Sequence, residues 1–528
     1  MNPVELSIFA NRIEAVCDEM GAALQRAAFS PNIRDRLDYS CAVFDANGEL
    51  CAQAAHIPVH LGSMAFAMRS IVEGIDWRDG DMVILNDPYM GGTHLPDVTV
   101  IAPVFIDRQV LGFVANRAHH ADMGAEQPGS MPLSTSLQQE GLIIQPQKLV
   151  EHGVINEAKM SGLMRSMRNP AESTGDFSAQ IAANRRGSYR LIELIQQMGT
   201  RRYSEALEAL NNYAEHLAIS CLNAIPDGEY HFSDVLDDDG LGHADIEIRA
   251  GIMVQRGRVD VDFKGTSSQV RGNVNCPISV TAAAVYYVFR CLLPPQAPAC
   301  AGSFRPISIT AAPGSLLNAA YPAAVAAGNV ETSTRIVDVV LGALAQAIPE
   351  KIPAASHGSM NNLAMGSTGS DAVKAWDYYE TIGGGMGASS VADGVDAVQT
   401  HMTNTLNTPV ESLEMAFPLR VKRYQVRKAS GGNGAHKGGA GIVREFEFLQ
   451  SANATLLTER RSHVPWGLHG AGNGEAGINR LNQKTIKAKD NISLQPGDIL
   501  TIETAGGGGW GKAVQKGRVA SGEGNILS

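Results

Sequence analysis

Apolar residues recur at two different spacings along this chain of 528 residues. Over residues 3 to 28 they fall every three or four positions, which predicts an amphipathic helix. The repeat runs through Leu6, Phe9, Ile13, Val16, Met20 and Leu24. Residues 62 to 75 continue in the same way. Residues 155 to 222 have a mostly helical pattern with few glycines. The first 222 residues are therefore predicted to be rich in helices.

Shorter runs predict strands. SCAVFD and ELCAQAA flank Asn47-Gly48, a strong hairpin signal. After residue 228 the runs EYHFSDVLDD, ADIEIRAGIMV and RVDVDFKG read as strands. Two helices interrupt them, one near residue 280 and one over residues 332 to 347, whose N-cap candidates are Thr332, Ser333 and Thr334. After about Leu419 the pattern is all-β with glycine-rich turns.

The predicted fold is mixed α/β and multi-domain, with an α+β N-terminal half that carries the metal or catalytic residues and a β-rich C-terminal region. Expected domains are residues 1–222, 223–350 and 351–528. This length suits two to four domains, and a hydrophobic content of 44% with 18% charged residues predicts a substantial core. The last dozen residues are polar and are expected to fray.

Charge and composition exclude several classes of protein. A formal net charge of −11, without basic runs, argues against a nucleic-acid partner. No apolar run approaches about 20 residues, so no membrane span is expected. A secretory signal has a basic stretch before its apolar residues, and the N-terminus of this chain has none. Seven scattered cysteines, never in C-x-x-C spacing, are typical of reduced core thiols. We therefore expect a cytoplasmic protein.

The richest chemistry lies in NDPYMGGTHLPDVTVIAPVFIDRQVLGFVANRAHHADMG, residues 86 to 124. Two strand-like runs there end in polar side chains, which are His94, Asp97, His119, His120 and Asp122. Each could simply close a strand end. Together, beside a Gly-Gly turn, they favour a metal or catalytic site. Nitrogen and oxygen ligands of this kind suit zinc, manganese or iron. Because neighbouring strand side chains face opposite ways, His119 and His120 cannot both reach one ion.

Three other residues are candidates for the site, and each has an alternative role that is only structural. Glu140 could act as a general base or be a surface acid. His60, four positions after His56 in an apolar segment, could line the site or be a satisfied core histidine. His401 precedes hydroxyl and amide groups suited to polar substrate atoms, or it stabilises a hydrogen-bonded loop.

Nucleotide-binding motifs are missing. The chain has no G-x-x-x-x-G-K-[ST] loop, and the G-x-G-x-x-G match at residues 472 to 477 lacks a preceding strand and a following helix. We therefore do not expect this chain to hydrolyse ATP alone. The TAGGGGWG segment could cradle an anion or form a tight turn packed by Trp510. No G-x-S-x-G elbow or base-paired cysteine indicates a covalent nucleophile.

Several long segments together resemble the B-type subunits of the ATP-dependent hydantoinase and oxoprolinase family, which includes lactamase and acetone- or acetophenone-carboxylase subunits. The matching segments are SPNIRDRLDYSCAVFD, HIPVHLGSM, NDPYMGGTHLPDV, RAHHADMG, AGNVETS, THMTNTLNTPVE, ERRSHVPWGLHG and TAGGGGWG. They span nearly the whole chain. The resemblance implies metal ligation by His94, Asp97 and His119, and the tandem histidines leave His120 as the alternative to His119. It also implies Asp38 as a fourth ligand, for which the alternative is a helix or turn cap. His120 and Asp122 would then orient ligands or handle protons.

The resemblance also implies a function. A separate A-type subunit binds ATP and phosphorylates a small cyclic amide, and a metal-bound hydroxide on this chain then attacks the ring carbon. Asp122 or Glu140 would take the proton. The expected assembly is a hetero-tetramer with two copies of each chain. Two alternatives stay open, a subunit of a ketone carboxylase and a non-catalytic scaffold for the ATP subunit. The sequence does not indicate which ring is the substrate.

Overall fold

The computed structural model describes residues 1–54, 57–369 and 375–513. The fold is mixed α/β with several sheets, as predicted. His56 and the last dozen residues lie outside the described residues. All seven cysteines are free. Among the described residues, no helix is both long and apolar enough to cross a membrane; the cytoplasmic location stays a prediction.

A seven-stranded sheet covered by helices forms the N-terminal region. Its helices are α1 (Pro3–Ala27), α2 (Pro31–Arg34), α3 (Pro58–Glu73), α4 (Glu157–Met164), α5 (Pro170–Met198) and α6 (Thr200–Leu222). Its strands are β1 (Tyr39–Asp45), β2 (Leu50–Ala54), β3 (Met82–Leu85), β4 (Asp97–Ile106), β5 (Gln109–His119), β6 (Gln147–Glu151) and β7 (Val154–Ile155). The strand order is β2-β1-β5-β4-β3-β6-β7.

Local sequence explains the first elements. Asn2 and Glu5 form a capping box at the start of α1, and Pro3 follows the cap. Apart from half-buried Leu6, the apolar stripe predicted for this helix is buried against α5 and the strands β1 and β2. Gly48, with a φ of 79°, turns the chain between β1 and β2 at the predicted Asn-Gly hairpin. A second tight hairpin joins β4 to β5 through Asp107 and Arg108.

The middle region is a four-stranded sheet with two helices, of which the second packs on the strands at one side of the sheet and the first packs on the second helix and on α3. It contains β8 (Gly228–Asp238), β9 (Ala244–Gln255), β10 (Arg258–Asp262), α7 (Ile278–Leu292), β11 (Ile307–Thr310) and α8 (Ser333–Leu344), in the strand order β11-β10-β9-β8. The predicted N-caps of the second helix are wrong. A π-helical turn, Gly328–Thr332, runs straight into α8, so Thr332 has helical angles and caps nothing.

The C-terminal region holds two sheets, β13-β12-β16-β19 and β14-β15-β20-β17-β18. Its elements are β12 (Asn362–Ser367), β13 (Trp376–Glu380), α9 (Val410–Ala416), β14 (Leu419–Arg427), β15 (Gly441–Phe448), β16 (Ala452–Leu457), β17 (Ile478–Leu481), β18 (Lys484–Thr485), β19 (Lys489–Leu494) and β20 (Ile499–Glu503). The predicted all-β character after Leu419 is confirmed. The three proposed domain boundaries stay a prediction.

Glycine-rich segments of this region pack backbone against backbone. The N–H groups of residues 506 to 509 donate to the carbonyls of Glu475, Gly439, Ala355 and Gly472. A Cβ added at Gly507 would lie 2.1 Å from the carbonyl oxygen of Met386. These four donors are therefore occupied, and the anion cradle considered for TAGGGGWG is wrong. The glycines are required because other chain segments approach too closely for side chains.

We predict that Gly507→Ala lowers the free energy of unfolding by about 2–3 kcal/mol, because backbone must shift to admit the methyl group. Gly162→Ala in α4 is the control. Its nearest neighbour atom would be 3.5 Å from the new Cβ, so this change should stabilise the helix by about 0.5–1 kcal/mol. Urea denaturation of both variants and of the wild type measures these changes in the free energy of unfolding. Equal midpoints for Gly507→Ala and the wild type would contradict the close packing.

Candidate metal centre

A one-residue bulge in the β4–β5 hairpin places the first two site residues. The register shifts beside Leu111, so that β5 gains one residue over β4. Asp97 consequently lies opposite His119 and not opposite Ala118. Directly opposed residues of antiparallel strands project to the same face about 5 Å apart. The bulge therefore selects which of the tandem histidines faces Asp97.

His94, Asp97 and His119 form a compact buried cluster. Nε2 of His94 and Nδ1 of His119 each lie 3.2 Å from Oδ1 of Asp97. One ligand atom from each of the three residues lies within 4.8 Å of the others. All three side chains are at most 2% exposed. The structure thus brings together three of the residues singled out by sequence.

The other oxygen of Asp97 is held by two further residues. Thr93 donates from Oγ1 to Oδ2 of Asp97 at 2.5 Å, and Nε2 of His60 lies 3.2 Å from the same oxygen. Nδ1 of His60 contacts the hydroxyl of Ser40 at 3.2 Å. His60 therefore lies at the site and orients the central carboxylate. Oδ1 is left to face His94 and His119.

The π-helical turn and the segment before it contact His94. The carbonyl of Ala326 accepts from Nδ1 of His94 at 3.3 Å. A carbonyl only accepts, so the proton of neutral His94 lies on Nδ1 and Nε2 carries a lone pair. The side-chain amide of Asn329 lies 3.1 Å from that Nε2. The AGNVETS motif thus reaches the cluster from a distant part of the chain.

The ring of His119 is stacked on Tyr379, with centroids 4.2 Å apart and an angle of 18°. The guanidinium of Arg36 lies over Tyr379, 5.0 Å from the centroid of its ring. Tyr379 also accepts a hydrogen bond at its hydroxyl from Asn362 at 2.7 Å. Nε2 of His119 is buried and has no partner in the structure. The stack fixes the ring plane and leaves this nitrogen free.

The donor set fits a divalent transition ion. Nε2 of His94 faces Oδ1 of Asp97 at 3.2 Å, so that a proton or a cation between the two atoms would be stabilised. Burial lowers the pKa of His94, but Asp97 outweighs burial and raises it, so a metal ion would have to displace the proton on this nitrogen. Burial raises the pKa of Asp97, but His94 and His60 outweigh burial and hold this pKa well below its usual range. Burial lowers the pKa of His119. An ionised carboxylate and a neutral imidazole are the forms that bind metals.

Asp38 lies beside the cluster without joining it. Its backbone carbonyl accepts from the N–H of His119 at 3.0 Å. Its charge is among the influences that raise the pKa of His94. Of the described side chains, only His94, Asp97 and His119 form the close group, so Asp38 as a fourth ligand stays a prediction.

His120 points to the opposite face of the sheet. Its Nε2 lies 3.0 Å from Oε1 of Gln180 on α5, and its ring stacks on Phe177 at 4.6 Å. Burial lowers the pKa of His120. The expectation that only one of the tandem histidines faces the cluster agrees with this geometry. These contacts of His120 are not with the cluster, and its role in handling protons stays a prediction.

Asp122 contacts the start of α5. Its carboxylate accepts from the backbone N–H groups of Gly124, Arg168 and Asn169, and the side chain of Arg168 lies 3.7 Å away. Three N–H donors and a guanidinium occupy this carboxylate. The structure therefore gives Asp122 an anchoring role and does not bring it to the cluster.

Glu140 is buried, which corrects the surface alternative. Its Oε1 accepts from the N–H groups of Val325 and Ala326 at 2.9 Å and from Ser134 at 2.8 Å, whereas Oε2 has no partner. Burial raises the pKa of Glu140 to about 7. Because Glu140 holds the Ala326 peptide, it positions the carbonyl that binds His94.

A family model described as Hydantoinase B/oxoprolinase matches residues 2–513. The chain belongs to that family. The resemblance drawn from the motifs is confirmed.

Known relatives of this hydantoinase B/oxoprolinase chain include 5-oxoprolinase 1 of Arabidopsis thaliana. The two are 40% identical over 97% of this chain, and the match spans only 42% of the plant protein. The crystal structure of ATP-dependent caprolactamase from Pseudomonas jessenii superposes with a TM-score of 0.89 at 28% identity, covering 97% of this chain and 91% of that one. Nucleotide-free acetone carboxylase matches at 0.87 with 18% identity, over 97% and 76% of the chains, which shows a shared fold.

Sequence reasoning missed Thr93, Asn329 and Tyr379. Thr93 lies next to His94 and could have been included. Asn329 lies in the AGNVETS motif, which was noted without a role. No local pattern marked Tyr379. His401, considered for substrate binding, contacts Tyr287 at 3.5 Å, and its Nε2 has no partner.

We predict that Glu140 makes stability depend on pH. Its folded pKa of about 7 lies above the ordinary value of 4.5, so the folded state keeps a proton that the unfolded state loses. This proton's contribution to the free energy of unfolding is fully present below about pH 4.5. The contribution is up to about 3 kcal/mol, and it is lost as the pH rises through about 7. Glu140→Gln should remove this dependence.

Urea denaturation of metal-stripped protein at pH 5 and pH 8.5 measures the effect. Glutamine keeps the accepting Oε1, so Glu140→Gln should be more stable than the wild type at the higher pH. Exposed Glu126 provides the control, and Glu126→Gln should follow the wild type. If the free energy of unfolding depends on pH in the same way in the wild type and in Glu140→Gln, Glu140 does not hold a proton in the folded state.

Proposed function

We propose that this chain is the ring-opening subunit of an ATP-dependent cyclic amidase. The observation that carries the proposal is the buried cluster of His94, Asp97 and His119, in a chain whose fold matches a caprolactamase. An amide carbonyl is a poor electrophile. Phosphorylation of its oxygen creates a leaving group and makes the ring carbon open to attack by water.

His94, Asp97 and His119 would hold a zinc, manganese or iron ion, with Asp38 as the predicted fourth ligand. When bound, such an ion supplies a water of lowered pKa as the nucleophile. His60 and Thr93 fix the Asp97 carboxylate, as outer partners of metal ligands commonly do. Burial of the cluster keeps bulk water away from an activated substrate.

Glu140 is the better candidate for handling the proton. Its Oε2 is free, and a pKa of about 7 allows it to gain or lose a proton near neutral pH. Asp122 has its oxygens engaged at the start of α5. We therefore assign the proton to Glu140 and an anchoring role to Asp122.

ATP would be used by an A-type partner. The chain has no G-x-x-x-x-G-K-[ST] phosphate-binding loop, and its match spans only 42% of the plant oxoprolinase. We keep the proposal of an A-type ATP-binding subunit in a hetero-tetramer.

The carboxylase and scaffold alternatives have less support. Acetone carboxylase shares the fold at 18% identity, which says nothing about chemistry. A scaffold has no need for three buried ligand-type side chains around a shared centre.

Turnover of a panel of cyclic amides and ketones, with the A-type partner, ATP and bicarbonate, tests the proposed function. We expect ring opening of at least one cyclic amide without incorporation of labelled bicarbonate. Carboxylation of a ketone with no ring opening would overturn the amidase assignment.

We predict that Asp97→Asn loses metal and ring opening while keeping the fold. Asparagine removes the charge that binds a divalent cation, so metal affinity should fall by more than the roughly 10–100-fold typical of an outer partner. The partner should still consume ATP when offered the lactam. Elemental analysis and parallel assays of phosphate and ring-opened product are the measurements.

Asp81→Asn is the matched control. Asp81 is also a buried carboxylate, but it pairs with Lys148 at 2.7 Å, just before β3 and at the end of that strand away from the cluster. This variant should keep wild-type metal content and coupled turnover. Ring opening by Asp97→Asn at the wild-type rate would eliminate the proposed metal centre.

A further inference from the structure

We propose that a cleft between the N-terminal and C-terminal regions binds an ammonium group carried on an apolar stem. The cleft has a volume of about 580 Å³. Its walls come chiefly from α2, the start of α5, the start of β13 and the end of α9, and they include Phe29, Asp122, Glu172, Trp376, Asp377 and Phe417. None of the three proposed metal ligands lines it, so its test does not depend on the proposed function.

Four carboxyl groups lie close together at this cleft. Burial raises the pKa of Glu172 to about 7, and the charges of Asp176, Asp377 and Asp122 add to this effect. Burial also raises the pKa of Asp377 to about 6, and the charge of Asp122 contributes again. Because these acids repel one another, a cation placed among them would be attracted by all four.

The arginines at the cleft compensate only part of this negative charge. Each has other partners, which are Asp35 for Arg34 at 2.8 Å, and Asp122 and Asp377 for Arg168 at 3.7 and 3.2 Å. Within the part of the chain that the structure describes, Glu172 forms no ion pair with a basic side chain. The cleft therefore keeps an excess of negative charge that a ligand can neutralise.

Asp377 brings a buried oxygen without a partner to the wall of the cleft. Its side chain is 5% exposed. Oδ1 accepts from the N–H of Gly129 at 2.7 Å and from Arg168 at 3.2 Å, whereas Oδ2 has no partner. The neighbouring Trp376 is 8% exposed, and its Nε1 also has no partner. Buried polar groups are nearly always hydrogen-bonded, so two such groups in one wall point to a ligand.

The spacing of the acids does not suit a metal ion. A metal ion needs several ligand atoms close together. Among the described residues, the only group of three ligand-type side chains with that spacing is the cluster of His94, Asp97 and His119. The carboxyl groups of the cleft are thus too far apart to surround one small ion, which favours a larger organic cation.

Apolar and aromatic side chains at the cleft suit the stem of such a cation. Phe29 and Met415 are 60% and 88% exposed, although both are large and apolar. Trp376 and Phe417 lie in the same walls, with their ring centroids 5.4 Å apart. Aromatic rings attract organic ammonium groups through cation–π contacts. Acids beside aromatic rings therefore match a ligand that is charged at one end and apolar along its length.

An ammonium group suits these carboxylates better than a guanidinium does. A guanidinium binds best to both oxygens of one carboxylate. Backbone N–H groups occupy both oxygens of Asp122, and one oxygen of Asp377 is occupied as well. An ammonium is a compact charge with three donors. It can therefore use the remaining oxygen of Asp377 together with the carboxylate of Glu172.

Calorimetric titration of the purified full chain at pH 8 and constant ionic strength tests the proposal. The probes are N-acetyl-lysine methylamide and 1,5-diaminopentane, and N-acetyl-norleucine methylamide has the same stem as the lysine derivative without the charge. We expect one saturable site for the amines and no binding of the norleucine compound. Glu172→Gln should weaken binding of the amines by about tenfold, the typical value of one hydrogen bond to a charged group.

Glu157→Gln is the matched control. Glu157 and Glu172 are both acids in the first turn of a helix, and their replacement changes the net charge equally. Glu157 does not line the cleft, so this variant should bind the amines as the wild type does. Asp377→Asn is a second test, because asparagine keeps an oxygen for Gly129 and removes the charge. It should also weaken binding by about tenfold.

The two amines distinguish the sources of the ammonium group. Nε1 of Trp376 can donate to a peptide carbonyl, which only the lysine derivative carries. Tighter binding of this derivative would support the proposal with a lysine side chain of another protein as the source, and tighter binding of the diamine would support it with a free amine. Wild-type affinity in both Glu172→Gln and Asp377→Asn would overturn the proposal. Failure of both amines to saturate a site, equal binding of the norleucine compound, or displacement of the amines by calcium would also overturn it.

Discussion

The position of one extra residue in the β4–β5 hairpin determines where the chemistry lies. Without the bulge at Leu111, Ala118 would face Asp97. His119 would then turn to the other side of the sheet, because strand side chains alternate. With the bulge, His119 joins the cluster and His120 is sent to the α5 side. Bulges next to active sites commonly redirect a side chain in this way. Every other contact of the centre is built around that register.

A second constraint is the buried charge of Asp97. Arg117 lies near enough for this charge to act on its pKa, yet its N–H groups donate to Thr99, Ser63 and the carbonyl of Gly91. No arginine or lysine among the described residues therefore neutralises Asp97 by direct contact. Its contacts are instead with Thr93 and with three histidines, which are His60, His94 and His119. A bound cation would place a fixed positive charge beside this buried carboxylate, which would couple metal affinity to stability.

The sequence was most informative where the determining interactions are local. The helices, the Asn-Gly hairpin and the convergence of His94, Asp97 and His119 follow from patterns within about forty residues. The bulge was not predictable, because no residue type marks a register shift of one position. Tyr379 is 260 positions from His119, and only the folded chain brings them together. The contacts of Asp122 were not predictable either, because the N–H groups that hold its carboxylate belong to Arg168 and Asn169, which are 46 and 47 positions away.

The centre is assembled from all three regions, and buried charges lock the middle region to the C-terminal one. Arg335 on α8 pairs with Glu459, which also binds Lys489 on β19. Such buried pairs add little stability over apolar residues, but removing one partner is strongly unfavourable. The pairs therefore act to select one arrangement of the two regions. That arrangement holds the turn of Asn329 and the ring of Tyr379 against strands from the first region. A site divided in this way can form only when the whole chain has folded, so a fragment limited to residues 1–222 would contain every proposed ligand and still lack a complete centre.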